Sequence, residues 1–463
     1  MSKGRSLPAS WSNCTLGEVV KYGASRKAEP NEIPDDAWVL ELEDIEKNSS
    51  RLLKRITFAE RRSKSTKNLF SRGDVLYGKL RPYLNKVVRA PEDGFCTTEI
   101  IPLTVPPELD SSYLFYWLKH PRFLEYVAEV SHGLNMPRLG TDAAKAAPFI
   151  LAPLPEQKRI TDKLDNLLAR VDACRERLDR VPGILKRFRQ SVLAAATSGE
   201  LTREWRTQSG HQGNSVGQLP RSWSSPKIGE VGRVQLGRQR SPKFHAGKSM
   251  RPYLRVQNVF EDRIDLFDVM HMDFPGEDFE RYRLHPGDIL LNEGQSPQFL
   301  GRPAMYRGEL PDSCFTNTLI RFQANQDVLR SEYALLVFRH HMHSGRYVTE
   351  GKITTNIAHL GAGRFASVEF PLPPLDEQEE IVRRASALMD RSQRLESRVQ
   401  ALAIFARKAT SAVLASAFRG ELVPQDPNDE PASVLLQRIA DQRAASAPAP
   451  KTRKPRAARL TNA

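Results

Sequence analysis

One helical stretch occurs twice, and this limits the chain more than any other feature. The first copy runs from Glu156-Gln157-Lys158-Arg159-Ile160 to Gly199-Glu200-Leu201, the second from Glu377-Gln378-Glu379-Glu380-Ile381 to Gly420-Glu421-Leu422. The offset is 377 − 156 = 221 at one end and 420 − 199 = 221 at the other, so the copies align without a gap. Exact internal repetition means a protein built as two similar halves.

In the first copy Ile160, Leu164, Leu167, Val171, Cys174, Leu178, Val181, Leu185, Phe188, Val192 and Ala195 alternate in steps of four and three. The second keeps the stripe as Ile381, Ala385, Leu388, Ser392, Leu395, Val399, Leu402, Ala406, Ala409 and Val413. A heptad stripe this long and narrow needs another helix along it, and the simplest partner for each copy is the other. At ~1.5 Å rise per residue each copy is a rod of roughly 60 Å. Asp376 with Glu379 has capping-box spacing, and Gly199 and Gly420 stand where a left-handed C-terminal residue is wanted. Pro182-Gly183 predicts a kink or short break in the first rod.

The segments before the rods are also related, more loosely. Leu7-Pro8-Ala9-Ser10-Trp11 returns as Leu219-Pro220-Arg221-Ser222-Trp223, Glu43-Asp44-Ile45 as Gln257-Asn258-Val259, and Gly73-Asp74-Val75-Leu76 as Gly287-Asp288-Ile289-Leu290. Cys96 and Thr98 align with Cys314 and Thr316. Short β-type runs bounded by Gly, Pro and Asp turns, followed by helical patterns at 112–130 and 328–343, make each module mixed α/β. The expected organisation is a first module over 1–150, a long helix over 155–201, a second module over 207–370, a second long helix over 375–422, a short helix over 423–443 and a disordered basic tail over 444–463.

Sixty-nine Lys and Arg against 55 Asp and Glu give a net charge of +14, which favours a polyanionic partner. The four cysteines have no metal-ligand spacing, which reads as reduced thiols in a cytoplasmic protein, and no apolar run reaches the ~18 residues of a membrane span. Catalytic motifs fail on inspection. Gly345 to Lys352 resembles a phosphate loop, but Ile353 stands where Ser or Thr holds Mg²⁺, and His340, His341 and His343 lack a further ligand to complete a metal site. No metal site and no catalytic residue are expected.

What remains is binding. Arg61, Arg62, Lys64, Lys67, Lys79, Arg81 and Lys86, with Tyr83 and Asn85 among them and Asn135 and Arg138 further on, form the candidate DNA-contact set of the first module. In the second, Arg238, Arg240, Lys243, Gln295, Ser296, Gln298, Arg302, Lys352, Thr354, Thr355 and Asn356 are the candidates. Cations set register on phosphates, while Asn, Gln, Arg and Thr on loops read base edges. The competing reading is a coiled-coil scaffold whose heads bind proteins through solvated charged faces.

The chain resembles the specificity (S) subunit of type I restriction-modification enzymes over nearly its whole length. The resemblance rests on Pro153-Leu154-Pro155-Glu156-Gln157 and Pro374 to Gln378 at the rod entries, Gly199-Glu200-Leu201-Thr202, Gly73 to Leu84, and Leu422-Val423-Pro424-Gln425-Asp426-Pro427. It implies two target-recognition domains, each reading one half of an asymmetric bipartite site in double-stranded DNA, joined by an antiparallel pair of long helices in a pseudo-twofold α+β fold. It further implies two methyltransferase (M) subunits docked on those helices, restriction (R) subunits in the full complex, and a role in adenine-N6 methylation and phage defence. By the same resemblance this chain binds no cofactor, and S-adenosylmethionine, ATP and Mg²⁺ serve the partner subunits.

Overall fold

The structure, a computed structural model, describes residues 7–131, 133, 136–210, 219–354 and 357–445; for 352–354 and 357 it describes the backbone alone. The chain divides into two compact units, one of residues 1–177 with 402–463 and one of residues 178–401. The division falls inside the two long helices, Leu154–Ser198 and Leu375–Ala417, so each unit holds a stretch of both.

Each unit shows how those stretches pair. In the first, Ile160 and Leu164 near the start of one helix share a core with Leu414, Ala417 and Phe418 at the end of the other. In the second, Val192, Leu193 and Ala196 near the end of the first helix share a core with Ile381 and Ala385 near the start of the second. The two helices therefore run antiparallel within each unit.

The seam departs from the heptad expectation. Leu395 and Leu402 are 49% and 53% exposed and Phe188 is 38% exposed, although a strict 4-3 alternation puts all three in the seam. One stripe of covered positions along the second helix runs through Ile381, Ala385, Leu388, Ser392, Glu396, Val399, Ala403, Ala406, Thr410, Leu414 and Ala417. Ten steps from 381 to 417 cover 36 residues, or 3.6 per step. From Ile160 to Ala196 the first helix repeats that count. A straight α-helix drifts ~20° per heptad against a 3.5 repeat, so the contact stripe slips off Leu395 onto Glu396 and off Phe188 onto Arg189. Arg189 Nη1 donates to Glu396 Oε2 at 2.9 Å and to Ser392 Oγ at 3.2 Å, filling the seam with a polar link. Leu167, Val171, Leu178 and Val413 stay partly covered.

Pro182 does not break its helix, which is continuous through it. Its ring removes one helical hydrogen bond at an exposed turn where water can satisfy the freed carbonyl. Pro182→Ala is expected to stabilise the chain by about 1–3 kcal/mol, read as a raised thermal midpoint. Asp376 and Glu379 form no capping box, because the helix already starts at Leu375. Asp376 accepts from the Glu377 amide and Glu379 pairs with Arg330.

In the first module the helical run splits into Ser111–Trp117 and Pro121–Val130, with the His120 ring capping the second helix and stacking on Trp117. The main sheet of the second module orders Gly232–Leu236, Leu319–Ala324, Ile289–Asn292 and Pro303–Met305 as antiparallel neighbours. The register shifts one sequence equivalence. Leu40 lies beside Cys96 and Leu254 beside Phe315, so Phe315 rather than Cys314 takes the place of Cys96. A C-terminal helix, Ala432–Ala445, buries Leu435 and Ile439 in the core of the first module, and its Arg443 donates to Gly17 O at 2.6 Å. Residues 446–463 lie outside the described residues.

Candidate nucleic-acid interface

The repeated motifs meet at one node in each unit. Trp11 Nε1 donates to Glu156 Oε2 at 2.8 Å, and Trp223 Nε1 to Glu377 Oε2 at 2.9 Å. The adjacent glutamines act alike. Gln157 donates to Ala152 O at 2.8 Å and accepts from the Asp110 amide, while Gln378 donates to Pro373 O at 2.9 Å and accepts from the Arg330 amide. All four motif side chains are fully buried. The left-handed Gly199 and Gly420 end the helices against Pro220 and Pro8, where a Cβ would lie 2.5 and 2.4 Å from the proline Cγ. Leu-Pro-x-Ser-Trp, Pro-Leu-x-Glu-Gln and Gly-Glu-Leu thus fasten a head to the ends of the rods.

The node differs between units in two groups, one of them Thr202, which donates to Glu377 where the first unit has Val423. Arg206 ties Gly199 O to Glu377 in the second, whereas the uncharged Gln425 ties Gly420 O to Glu156 in the first. Burial raises the Glu156 pKa, with the Trp11 and Gln425 hydrogen bonds opposing.

Many of the cations expected at the first head's surface are held by its own carboxylates. Arg61 pairs with Asp44, Glu41 and Glu43. Lys67 is buried against Glu41 and Ser65, Lys86 donates to Leu42 O, and Arg138 pairs with Glu99 at 3.2 Å. Asn85 is buried in a left-handed conformation. Arg62, Lys64 and Arg81 are exposed, Lys79 is half-buried, and Tyr83 is 62% exposed on the turn Pro82–Leu84. Arg81, Tyr83 and Lys86 thus lie on one loop.

In the second head Arg238 is buried, pairs with Asp278 and stacks 3.8 Å from the Phe244 ring centroid. Arg240 and Lys243 are exposed beside Tyr253 and Phe244. Gln295, Ser296 and Gln298 line the loop that carries the turn Pro297–Phe299, and Arg302 sits over both Phe260 and Phe299. Lys352 and Thr354 belong to a strand paired with Ile357–His359. Asn135, Thr355 and Asn356 lie outside the described residues. Spacing did not signal all of the arginine–aromatic stacking of this head, because pairs such as Arg240 on Tyr253 and Arg302 on Phe260 join residues far apart in the chain.

Below that head, Glu261 links hairpin and helix. It accepts from His343 Nε2 at 3.0 Å and Arg339 Nε at 2.9 Å, and His343 Nδ1 lies 3.4 Å from Gln190 Nε2 on the long helix. Desolvation works to raise its pKa, but His343 and Arg339 outweigh it and hold the carboxyl down to about 2. A folded-state pKa below the ordinary ~4.3 gives stability that is present above that value and lost as pH falls to about 2. Acid melts of Glu261→Gln should lack that part of the pH slope, and an unchanged slope would refute the assignment.

Among the described residues no group of His, Cys, Asp and Glu could hold a metal, and no helix is long and apolar enough to cross a membrane. A family model described as the type I restriction modification DNA specificity domain matches residues 8–182 and again residues 220–402. The chain belongs to this family. The double match coincides with the internal repeat. The specificity subunit of the type I restriction enzyme EcoKI from Escherichia coli K12 is 28% identical over 347 residues, covering 73% of this chain and 72% of that protein. That of EcoDI from Escherichia coli is 25% identical over 483 residues, covering 96% and 98%. The HsdS subunit from Thermoanaerobacter tengcongensis shares the fold with a TM-score of 0.59 at 20% identity, covering 91% of this chain and all of that one. A chain from a type I restriction-modification complex has a TM-score of 0.65 at 18% identity, covering 90% and 100%. The mixed α/β fold with two long helices is therefore that of specificity subunits.

Proposed function

We propose that this specificity subunit binds double-stranded DNA, each head reading one half of a bipartite, asymmetric site. The antiparallel helices set the number of unread base pairs between the halves. The observation that carries this reading is a pair of like-built heads with unlike polar rims, each fastened to the same two continuous helices by a buried node. Cationic loops such as Arg81–Tyr83 and the arginines of the second head supply phosphate contacts. The chain contributes recognition alone, and methylation and cleavage belong to partner subunits that use S-adenosylmethionine, ATP and Mg²⁺.

Apolar side chains on the outer sides of the helices favour docked methyltransferase subunits. Ile404 and Phe405 are 56% and 69% exposed in the first unit, and Ile184 and Phe188 are exposed in the second. Apolar surface of this kind on a helix marks an interaction site.

Salt tests the DNA reading. Phosphate-dominated binding gives a slope near −0.9 per contact in log K against log salt, so with several contacts per head the affinity should fall about 10³-fold between 50 and 200 mM. Salt-independent binding would point instead to the protein-binding scaffold.

A further inference from the structure

The two heads build the same cradle from backbone hydrogen bonds and line it with different chemistry. In the first head the Glu41 amide donates to the Asp44 side chain at the turn Leu42–Asp44, and in the second the Arg255 amide donates to Asn258 at the turn Val256–Asn258. Lys79 N donates to Glu99 O at 2.9 Å, matched by Glu293 N to Thr318 O at 3.0 Å. Leu139 N donates to Lys79 O and Leu360 N to Glu293 O, so Arg138 and His359 are equivalent. These bonds fix residue-by-residue equivalence where sequence alignment cannot.

Core positions stay apolar through that equivalence: Leu40 with Leu254, Leu76 with Leu290, Ile101 with Ile320. The rim does not. Glu41 becomes Arg255, Glu43 becomes Gln257, Lys79 becomes Glu293, Glu99 becomes Thr318 and Arg138 becomes His359. Even the polar contact across the edge is rebuilt with its acid moved, from Arg138–Glu99 to His359–Glu293 at 3.1 Å. In the first head the rim encloses a cavity of about 340 Å³ lined by Glu43, Arg81, Lys86, Thr97 and Glu99 among others. In the second, Arg255 Nε and Arg302 Nε are buried without a hydrogen-bond partner among the described residues. A duplicated scaffold that keeps backbone and core while exchanging charge at the rim has diverged in what it reads.

We propose that this rim determines base specificity, through Glu43 and Glu99 in the first head and Gln257, Arg255 and His359 in the second. The proposal rests on the DNA reading above and names its contacts. Carboxylates only accept, so the first head selects a base presenting an amino group in the major groove, cytosine or adenine. The amide and guanidinium of the second head bring donors, matching adenine or guanine edges.

The test is selection from duplexes randomised in both half-sites, using the full chain co-purified with its methyltransferase subunits. Glu43→Gln should lose about 10-fold or more of its discrimination at one position of the first half-site and leave the second unchanged, and Gln257→Ala should do the reverse. A thermal midpoint equal to wild type excludes unfolding, and Glu99→Gln provides a second first-head variant should Glu43→Gln fail to fold. If wild type selects a bipartite sequence and the variants keep it, or relax both halves together, this assignment is overturned alone. If wild type selects no sequence, the DNA reading falls and the assignment with it.

Discussion

Glu377→Ala is expected to destabilise the second unit by about 3–5 kcal/mol. Glu377 is fully buried, and its carboxylate accepts three hydrogen bonds at once, from Trp223, Thr202 and Arg206. Its removal leaves the Arg206 guanidinium, 1% exposed, as a buried charge with its acid gone. At ~2–4 °C per kcal/mol for a unit of this size, the midpoint should drop by roughly 6–20 °C. Glu156→Ala should cost less, about 1–3 kcal/mol, because Gln425 stands where the arginine would be and no charge is stranded. Calorimetry of both variants decides the matter, and equal losses would show that the ion pair contributes nothing beyond its hydrogen bonds.

Removing seven residues from each long helix, 169–175 and 405–411, should shorten the spacer by ~10 Å, equivalent to ~3 base pairs. Methylation at the original site should then vanish and reappear, if binding survives, at a site with a shorter gap. A deletion from one helix alone should instead destroy the pairing, since the covered positions of the two would no longer meet. The 3.6 spacing adds ~20° of rotation per deleted heptad, so the double deletion also turns one head slightly about the axis. An unchanged gap in methylome sequencing refutes the spacer reading.

The repeat, the length of the helices and their glycine ends were legible because each depends on local rules: periodicity, helix termination and exact internal offset. The placement of the stripe along them was less so. Counting by sevens puts Leu395 and Phe188 in the seam, and a straight antiparallel pair puts Glu396 and Arg189 there. Net charge favours a polyanionic partner, yet counting basic residues misplaced individual cations. Lys67 and Arg61 are held by the carboxylates of residues 41–44, distant in sequence, which no count of basic residues reveals.

From its residues alone the chain specified two copies of one module on two equal helices, because repetition and hydrophobic period are written along a single strand of sequence. The node that joins Trp11 to Glu156 and Trp223 to Glu377, the equivalence of Glu99 and Thr318 in the two heads, and the choice of which polar groups face outward came from the folded molecule. Those depend on contacts between segments far apart in the chain, and burial there decides whether a charge is consumed by the fold or left on a rim.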